Sequence, residues 1–312
     1  MDNLIKNIAV DMNKVNYKVS AIVVTFNRLS WLKKVISSLE SQTYSIEQII
    51  VIDNCSTDGT KDWLAQFYTN EQFSILHTKT NLGGAGGFAK GMEVAMAMGN
   101  DFLWIMDDDC VPEQNALEAL VRSWTWFKLN TPYTPGFTCS LVKFQDTEDI
   151  CEMNIPKPIW DWTRYYNNTE IPVMLVETCS FVSCLIHRDK VKEVGLPYSE
   201  YFIWYDDSEY TRRLSRSYPG IYVLDSIVRH HTPNNRGVNF SDVNDKNIWK
   251  FRYGARNEGS WRYHNQGLDS WKRFSQRVNK QMHQGNVSLK NRVDINKSLL
   301  EAIRFNPKIK YI

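Results

Sequence analysis

The stretch Asp101-Phe102-Leu103-Trp104-Ile105-Met106-Asp107-Asp108-Asp109-Cys110 decides the fold that this sequence predicts. Its apolar run, residues 102–106, has no polar alternation, which is typical of a strand covered on both faces in a parallel sheet. Three carboxylates follow the strand, and ligands of open α/β sheets bind beyond the carboxyl ends of the strands. On an extended backbone Asp107 and Asp109 point the same way and Asp108 the opposite way, so the outer two can share one divalent cation. Hard oxygen ligands favour Mg²⁺ or Mn²⁺, and a solvated acidic turn before a helix is the alternative.

Three further apolar runs upstream end in a similar way, and helical patterns separate them. Strands are predicted to end at Thr25, at Asp53 and near Leu76, which gives a repeated β-α pattern over about 125 residues. Such a pattern predicts a nucleotide-binding half. A carboxylate at the position of Asp53 can accept a hydrogen bond from a base N–H or a ribose hydroxyl, although turn capping explains the residues that follow it.

A glycine-rich segment, residues 81–91, lies one helix before the central strand. Four glycines at positions 83, 84, 86 and 87 predict a loop whose backbone approaches a ligand closely, and the following helix N-terminus attracts anionic oxygen. The segment is neither a Rossmann fingerprint nor a P-loop, and a flexible turn is the common alternative.

The second half of the chain is expected to form a mixed sheet with longer loops and an acceptor-side wall. An aromatic run at residues 201–205 leads into Asp206, Asp207 and Glu209 at a predicted helix start. These carboxylates suit a general base, and ordinary N-capping is the alternative. The pair His230-His231 follows a further predicted strand, where an imidazole can be a third ligand of Mn²⁺.

The composition argues against several classes of protein. A net charge of +2 over 312 residues gives no electrostatic case for nucleic acid binding. The chain has neither a run of about eighteen apolar residues nor a leader pattern, so we expect a cytoplasmic protein. Residues 1–17 are predicted to form a loosely docked arm. Residues 266–312 are predicted to form a basic, helical extension that contacts an anionic membrane surface, solvent or another copy of the chain.

Together the motifs resemble glycosyltransferase family 2, the inverting sugar-nucleotide transferases of GT-A fold. The resemblance rests on residues 23–28, 52–60 and the aspartate triplet 107–109. Within that family, residues 81–88, 204–210 and 231–233 are similar to segments of bacterial galactofuranosyltransferases.

The resemblance implies an α/β fold of GT-A type with a mostly parallel central sheet flanked by helices. The catalytic domain would span residues 18–265, with a nucleotide-binding half at 18–130 and an acceptor half at 131–265. By the same resemblance the catalytic base would be Asp207, with Asp206 and Glu209 nearby, and Mn²⁺ or Mg²⁺ would be held by Asp107, Asp109 and His231. The residues implied for the sugar nucleotide are Thr25, Phe26, Arg28, Asp53, Asn54, Asn81, Gly83, Gly84, Asp107 and Asp108.

The function implied by the resemblance is metal-dependent, inverting transfer of a sugar, in the first place galactofuranose from UDP-galactofuranose. The acceptor would be a glycan or lipid-linked glycan in surface or capsule polysaccharide synthesis. A rhamnosyl- or other hexosyltransferase of the same family is one alternative, and a non-catalytic sugar-nucleotide-binding assembly protein is another. Peripheral contact with the inner membrane surface and a homo-oligomer are further expectations.

Overall fold

The computed structural model describes residues 16–166 and 171–312, and one sheet of ten strands runs through it. The predicted N-terminal arm lies mainly on residues 1–15, outside the described residues. The first four strands end within one residue of the predicted positions. The strands are β1 (Val19–Thr25), β2 (Gln48–Asp53), β3 (Phe73–His77), β4 (Phe102–Asp107), β5 (Cys110–Pro112), β6 (Thr138–Phe144), β7 (Lys157–Pro158), β8 (Val173–Thr178), β9 (Cys184–His187) and β10 (Gly220–His230).

Helices cover both faces of the sheet and continue beyond it. They are α1 (Leu29–Glu40), α2 (Thr60–Leu64), α3 (Gly83–Met98), α4 (Ala116–Asn130), α5 (Arg188–Val194), α6 (Asp206–Leu214), α7 (Ile248–Gln266), α8 (Leu268–Gln284) and α9 (Leu289–Glu301).

The glycine-rich segment is helical, which corrects the prediction of a loop. Gly83 is the first residue of α3, and the missing side chains let this helix pack directly on β1. A Cβ atom at Gly87 would lie 2.5 Å from Val24 Cγ1, and one at Gly91 would lie 2.4 Å from Ile22 Cγ2. The glycines therefore serve the packing of the helix on the sheet, at the cost of helix propensity.

The strand order places the carboxyl ends of the first strands at one edge. The order is β3-β2-β1-β4-β9-β6-β10-β8-β7, with β5 paired to β10. The first four strands are mutually parallel, whereas β9 runs antiparallel to β4 and β6. Thr25 is in register with Asp53, and Val24 with Asp107. The α/β fold with a parallel first half and a mixed second half is the one expected.

Both faces of the sheet are buried, which explains the apolar runs without alternation. Along β1, Val23 belongs to a cluster with Leu32 of α1, while Ile22 and Val24 belong to a second cluster with Met92 of α3. Each large aliphatic side chain buried in this way contributes about 1.5–3 kcal/mol to the free energy of unfolding. The two layers of helices hold the strand ends, and the residues that follow them, in fixed positions.

The C-terminal helices form a third apolar cluster. Phe251 of α7 packs there with Phe274 of α8 and Leu299 of α9, so residues on both sides of the predicted boundary at 265 share one core. The chain then returns to the sheet domain, where the Leu196 N–H donates to the Lys310 carbonyl at 2.9 Å. Within the described residues, no helix combines the length and apolarity needed to cross a membrane.

Candidate active site

A cleft of about 720 Å³ lies where β1 and β4 end, a volume typical of small-ligand sites. The strand ends and the start of α3 form one wall, and the segment before α6 together with α7 forms the other. Most residues indicated by the sequence line it: Thr25, Phe26, Arg28, Asn54, Asn81, Gly83, Gly84, Asp107, Asp108, Asp109, Asp206 and Asp207. The cleft thus brings together motifs separated by as many as 182 positions of the sequence, from Thr25 to Asp207.

Asp107 and Asp108 form the floor of the cleft. Asp107 ends β4, and the turn that follows brings Asp108 into the same cleft instead of pointing it away, as an extended backbone would have done. Asp108 Oδ2 accepts from Thr25 Oγ1 at 2.7 Å and from the Phe26 N–H at 3.2 Å. Burial, reinforced by the neighbouring Asp109 carboxylate, raises the pKa of both Asp107 and Asp108 to about 7.

Asp109 connects the loop after β1 with the end of β10. Its Oδ2 forms an ion pair with Arg28, and its Oδ1 lies 3.3 Å from His230 Nε2. The Nδ1 of His230 lies 2.7 Å from the side-chain oxygen of Asn154, which can accept a hydrogen bond from the Nδ1–H, and Nε2 then faces the carboxylate. Burial opposes ionisation of Asp109, but the hydrogen bond and charge of His230 outweigh it and lower the pKa of Asp109.

The two adjacent histidines occupy different environments. His230 is the last residue of β10 and lines the cleft, whereas the His231 ring stacks on Trp31 with centroids 4.1 Å apart. The His231 backbone N–H donates to the Asp109 carbonyl at 3.0 Å, so the residue is adjacent to the triplet through its main chain. The structure thus brings His230 against Asp109, and a metal-binding role for His231 stays a prediction.

The donor chemistry of this corner fits a hard divalent cation. Ligand atoms of Asp109, Cys110 and His230 all lie within 4.8 Å of one another. Burial raises the pKa of the Cys110 thiol, which keeps it protonated and a poor ligand. The carboxylates remain as ligands, and burial together with the Asp109 charge raises the pKa of Asp107 and Asp108, an effect that a bound cation would oppose. Burial lowers the pKa of His230, but Cys110 and Asp109 outweigh it and raise that pKa, so the imidazole would bind a cation only after losing a proton.

Asp53 does not line the cleft, although it ends β2 as predicted. Its Oδ2 lies 2.7 Å from His77 Nδ1, and its Oδ1 accepts from the Ser56 N–H at 2.9 Å. The next residue, Asn54, reaches the cleft and binds the start of α3 by donating from Nδ2 to the Gly83 carbonyl at 2.8 Å. Contact of Asp53 with a sugar nucleotide stays a prediction.

The start of α3 touches the opposite wall of the cleft through Gly83. This residue has φ +73°, and a Cβ atom there would lie 2.1 Å from the Phe202 carbonyl oxygen. The same oxygen accepts from the Ala85 N–H at 3.1 Å. Asn81 supports the turn by accepting from the Gly83 N–H at 2.8 Å. A glycine is therefore required here on two counts, the left-handed backbone and the close approach.

The opposite wall is an aromatic turn in an unusual conformation. Phe202, Trp204 and Tyr205 have φ of 64°, 67° and 70°, positive values that cost a non-glycine residue roughly 1–3 kcal/mol. Asp206 and Asp207 follow at once and begin α6. Burial raises the pKa of both, and for Asp206 the Asp207 charge, and to a smaller extent Asp107, raise it further. The two groups of carboxylates therefore interact across the cleft.

Glu209 points away from the cleft. It is 3% exposed and binds Arg213 one turn along α6, with Oε1 to Nε at 2.7 Å and Oε2 to Nη2 at 2.9 Å. Arg213 in turn donates to the carbonyls of Val194 and Leu196, so the pair joins α6 to the segment after α5. The structure does not bring Glu209 together with the two aspartates, and its predicted place near the acceptor has no support in this geometry.

Several cleft residues were missed by the sequence reasoning. Lys250 lines the cleft from α7, and burial together with the Arg28 charge lowers its pKa. No ion pair to Lys250 is found in the part of the chain that the structure describes. The sequence signal was the basic, aromatic composition of residues 249–263, whereas Asn154 carries no signal of its own.

Comparison with known proteins places these observations in one context. The sequence model of the family described as "Glycosyl transferase family 2" matches residues 20–195. The chain is 28% identical over 213 residues to galactofuranosyltransferase GlfT1 of Mycolicibacterium smegmatis, a match that covers 64% of this chain and 66% of that protein. It is 31% identical over 207 residues to GlfT1 of Mycobacterium tuberculosis, covering 64% of this chain and 65% of the relative. The chain thus spans just under two thirds of the length of these relatives.

Solved structures share the fold. The structure titled "Crystal structure of GalNAc-T7 with UDP, GalNAc and Mn2+" superposes with a TM-score of 0.55 over 81% of this chain and 52% of that one. The sequences are 16% identical, so the likeness concerns the fold alone.

Proposed function

The chain belongs to glycosyl transferase family 2 and has the GT-A fold, and from that premise we propose that it is an inverting glycosyltransferase. The donor would be a UDP-sugar, in the first place UDP-galactofuranose, and the acceptor a glycan or lipid-linked glycan of a surface polysaccharide. One observation carries the proposal: the aspartate triplet and the Asp206-Asp207 pair line the same cleft. Similarity to two mycobacterial galactofuranosyltransferases supports the donor sugar.

Binding of the donor would use the wall formed by β1, β4 and α3, together with Lys250, which faces it from α7. Arg28 and Lys250 offer positive charge to a diphosphate, and Lys250 supports this role because it is half-buried and is not engaged in an ion pair within the described ranges. Asp107, Asp109 and an imidazole of the His230-His231 pair would hold Mn²⁺ or Mg²⁺, which when bound neutralises diphosphate charge. Thr25 and the Phe26 N–H fix the third carboxylate, Asp108.

Residues of the opposite wall, which carries Asp206 and Asp207, would perform the proton transfer. Asp207 takes the proton of an acceptor hydroxyl while that oxygen attacks the anomeric carbon of the sugar. The bond from this carbon to the diphosphate oxygen breaks on the opposite face, so the anomeric configuration inverts. The raised pKa of Asp207 suits a base, which works best when its pKa is near the working pH. Such catalysis contributes about 10²–10⁴-fold to the rate.

The test is release of UDP from a panel of UDP-galactofuranose, UDP-galactopyranose and UDP-glucose, with dTDP release measured for dTDP-rhamnose, each with Mn²⁺ and with EDTA. We expect metal-dependent turnover of UDP-galactofuranose that falls at least about 100-fold in Asp207→Asn. The exposed Asp62, changed to Asn, is the matched control. Turnover of another donor alone would replace the galactofuranosyl assignment by another hexosyltransferase. UDP binding without turnover, with glycan acceptors present, would favour a non-catalytic sugar-nucleotide-binding protein.

The cellular setting belongs to the same proposal. A cytoplasmic location, contact of the basic 266–312 extension with the inner membrane surface, and self-association follow from the sequence expectations. Sedimentation with anionic vesicles, compared with neutral ones, tests the membrane contact directly.

A further inference from the structure

The aromatic turn before α6 needs an external support because its backbone is strained. Phe202, Trp204 and Tyr205 all have a positive φ, and none is a glycine. Backbone strain of this kind persists only where surrounding contacts determine it, and it is concentrated at functional sites. The turn ends directly at Asp206, so any relaxation of its backbone moves the carboxylates that line the cleft.

The support comes from one side chain in α7. Asn257 is 0% exposed, and its Nδ2 donates to the carbonyls of Tyr201 at 2.9 Å, Ile203 at 3.1 Å and Trp204 at 2.9 Å. Two amide hydrogens thus serve three carbonyls through a shared hydrogen bond. These carbonyls belong to consecutive parts of the strained turn, and the amide draws them to one point.

The orientation of the amide is fixed by its neighbour. Asn257 Oδ1 accepts from Arg256 Nε at 3.1 Å and Nη2 at 3.0 Å, which leaves only the amide nitrogen for the carbonyls. Arg256 Nη2 also donates to the Glu200 carbonyl at 2.8 Å. The turn is held from the other side by α3, where Ala85 donates to the Phe202 carbonyl. Contacts from both walls of the cleft therefore converge on residues 200–204.

We infer that Asn257 is a positioning residue, which holds the strained turn so that Asp207 faces the acceptor hydroxyl. The inference rests on the proposed function, because it assigns Asn257 to the geometry of the base. Asn257 lies at the back of the turn, does not line the cleft and touches no reacting atom. Its removal should reduce turnover while the donor wall, built from β1, β4 and α3, keeps its affinity for UDP.

The test uses the isosteric change Asn257→Asp, which replaces the donor by an oxygen facing three carbonyls. We expect kcat for Mn²⁺-dependent UDP release from UDP-galactofuranose to fall about 100-fold, since a shift near 1 Å in a catalytic group costs that much. Donor KM and the affinity for UDP should stay within about threefold of the parent. Hydrogen–deuterium exchange should increase at least about tenfold in residues 201–207 and stay unchanged in β1 and β4.

Two further variants separate positioning from folding. Asn265 lies on the same helix, is exposed and donates only within the helix. The variant Asn265→Asp should therefore match the parent in kcat, donor KM and hydrogen exchange. Arg256→Met removes the donors that orient the amide. We expect kcat to fall about tenfold in this variant while donor KM and the affinity for UDP are kept. The variant tests the inference even if Asn257→Asp fails to fold.

The possible outcomes either support or overturn the inference. Parental kcat in Asn257→Asp, or unchanged exchange in residues 201–207, would overturn it. If both Asn257→Asp and Arg256→Met lose UDP affinity as well as kcat, Asn257 is a general structural residue. That result would also overturn the inference. If the parent turns over no donor, the proposed function fails, and the exchange experiment still decides whether Asn257 holds the turn.

Discussion

Adding Mn²⁺ to the metal-free protein should stabilise it strongly at pH 8 and weakly at pH 5.5. Asp107 and Asp108 have pKa values raised to about 7 by burial, against 3.8 for an ordinary aspartate. An acid whose pKa is raised by folding holds its proton more tightly in the folded state. Its contribution to stability is therefore complete below about pH 4 and is lost as the pH rises through 7.

The magnitude follows from the size of the shift. For Asp108, the change from 3.8 to about 7 corresponds to about 4 kcal/mol of unfolding free energy lost between pH 4 and pH 8. A cation that binds only the folded state restores about 2.7 kcal/mol at a free concentration a hundred times its Kd. For a chain of this size that is a gain of about 4 °C in Tm at pH 8.

Protons compete with the cation at lower pH. Displacement of one proton from a group with a pKa near 7 weakens binding about 30-fold at pH 5.5. The same Mn²⁺ concentration then adds less than about 1 kcal/mol, or about 1 °C in Tm.

The assay is scanning calorimetry of EDTA-stripped protein at both pH values, with and without Mn²⁺. Asp109→Asn should abolish the gain, and the exposed Asp62→Asn should keep it. An equal gain at both pH values, or an undiminished gain in Asp109→Asn, would refute the assignment of the triplet as a metal site.

Three shorter predictions concern the walls of the cleft. The raised pKa of Asp207 should place the acid limb of the kcat/KM profile above the usual carboxylate range near 4. Activity should be lost as the pH falls, because the base must be ionised. A profile of kcat/KM from pH 5 to 9 checks this. Gly83→Ala should lower Tm and UDP affinity, because its Cβ would collide with the Phe202 carbonyl, whereas Gly237→Ala, with open space around it, should be silent in both calorimetry and UDP titration. Lys250→Met should raise the donor KM roughly 10-fold or more with unchanged Tm, since a charged hydrogen bond contributes about 1.5–3 kcal/mol; an unchanged KM would exclude Lys250 from the donor site.

Features encoded in short segments were predictable from the sequence. The strands ending near Thr25, Asp53 and Asp107 follow from uninterrupted apolar runs, and the parallel arrangement brings their ends to one edge. The Glu209 to Arg213 pair was also accessible, because a spacing of four residues on a helix brings opposite charges together.

Features that depend on tertiary contacts could not be predicted from short segments of the sequence. Two adjacent histidines end β10, and only the exact end of the strand decides that the ring of His230 faces Asp109. The glycines of α3 predict a loop by propensity, yet packing on β1 overrides it. Asn257 is more than 50 positions from the carbonyls it binds, and a polar residue in a helix gives no indication of such partners.

The continuity of the sheet limits how the two predicted halves can be treated. Antiparallel pairing of β9 with β4 joins residues of the 18–130 half to those of the 131–265 half without a linker between them. A fragment that stops at 130 would leave β4 as an edge strand, and Leu103 and Ile105 would lose the part of their apolar cluster that lies beyond residue 130. Such an edge is a template for aggregation. The halves should therefore unfold in a single cooperative step, and hydrogen exchange in β4 and β9 should report one common opening free energy.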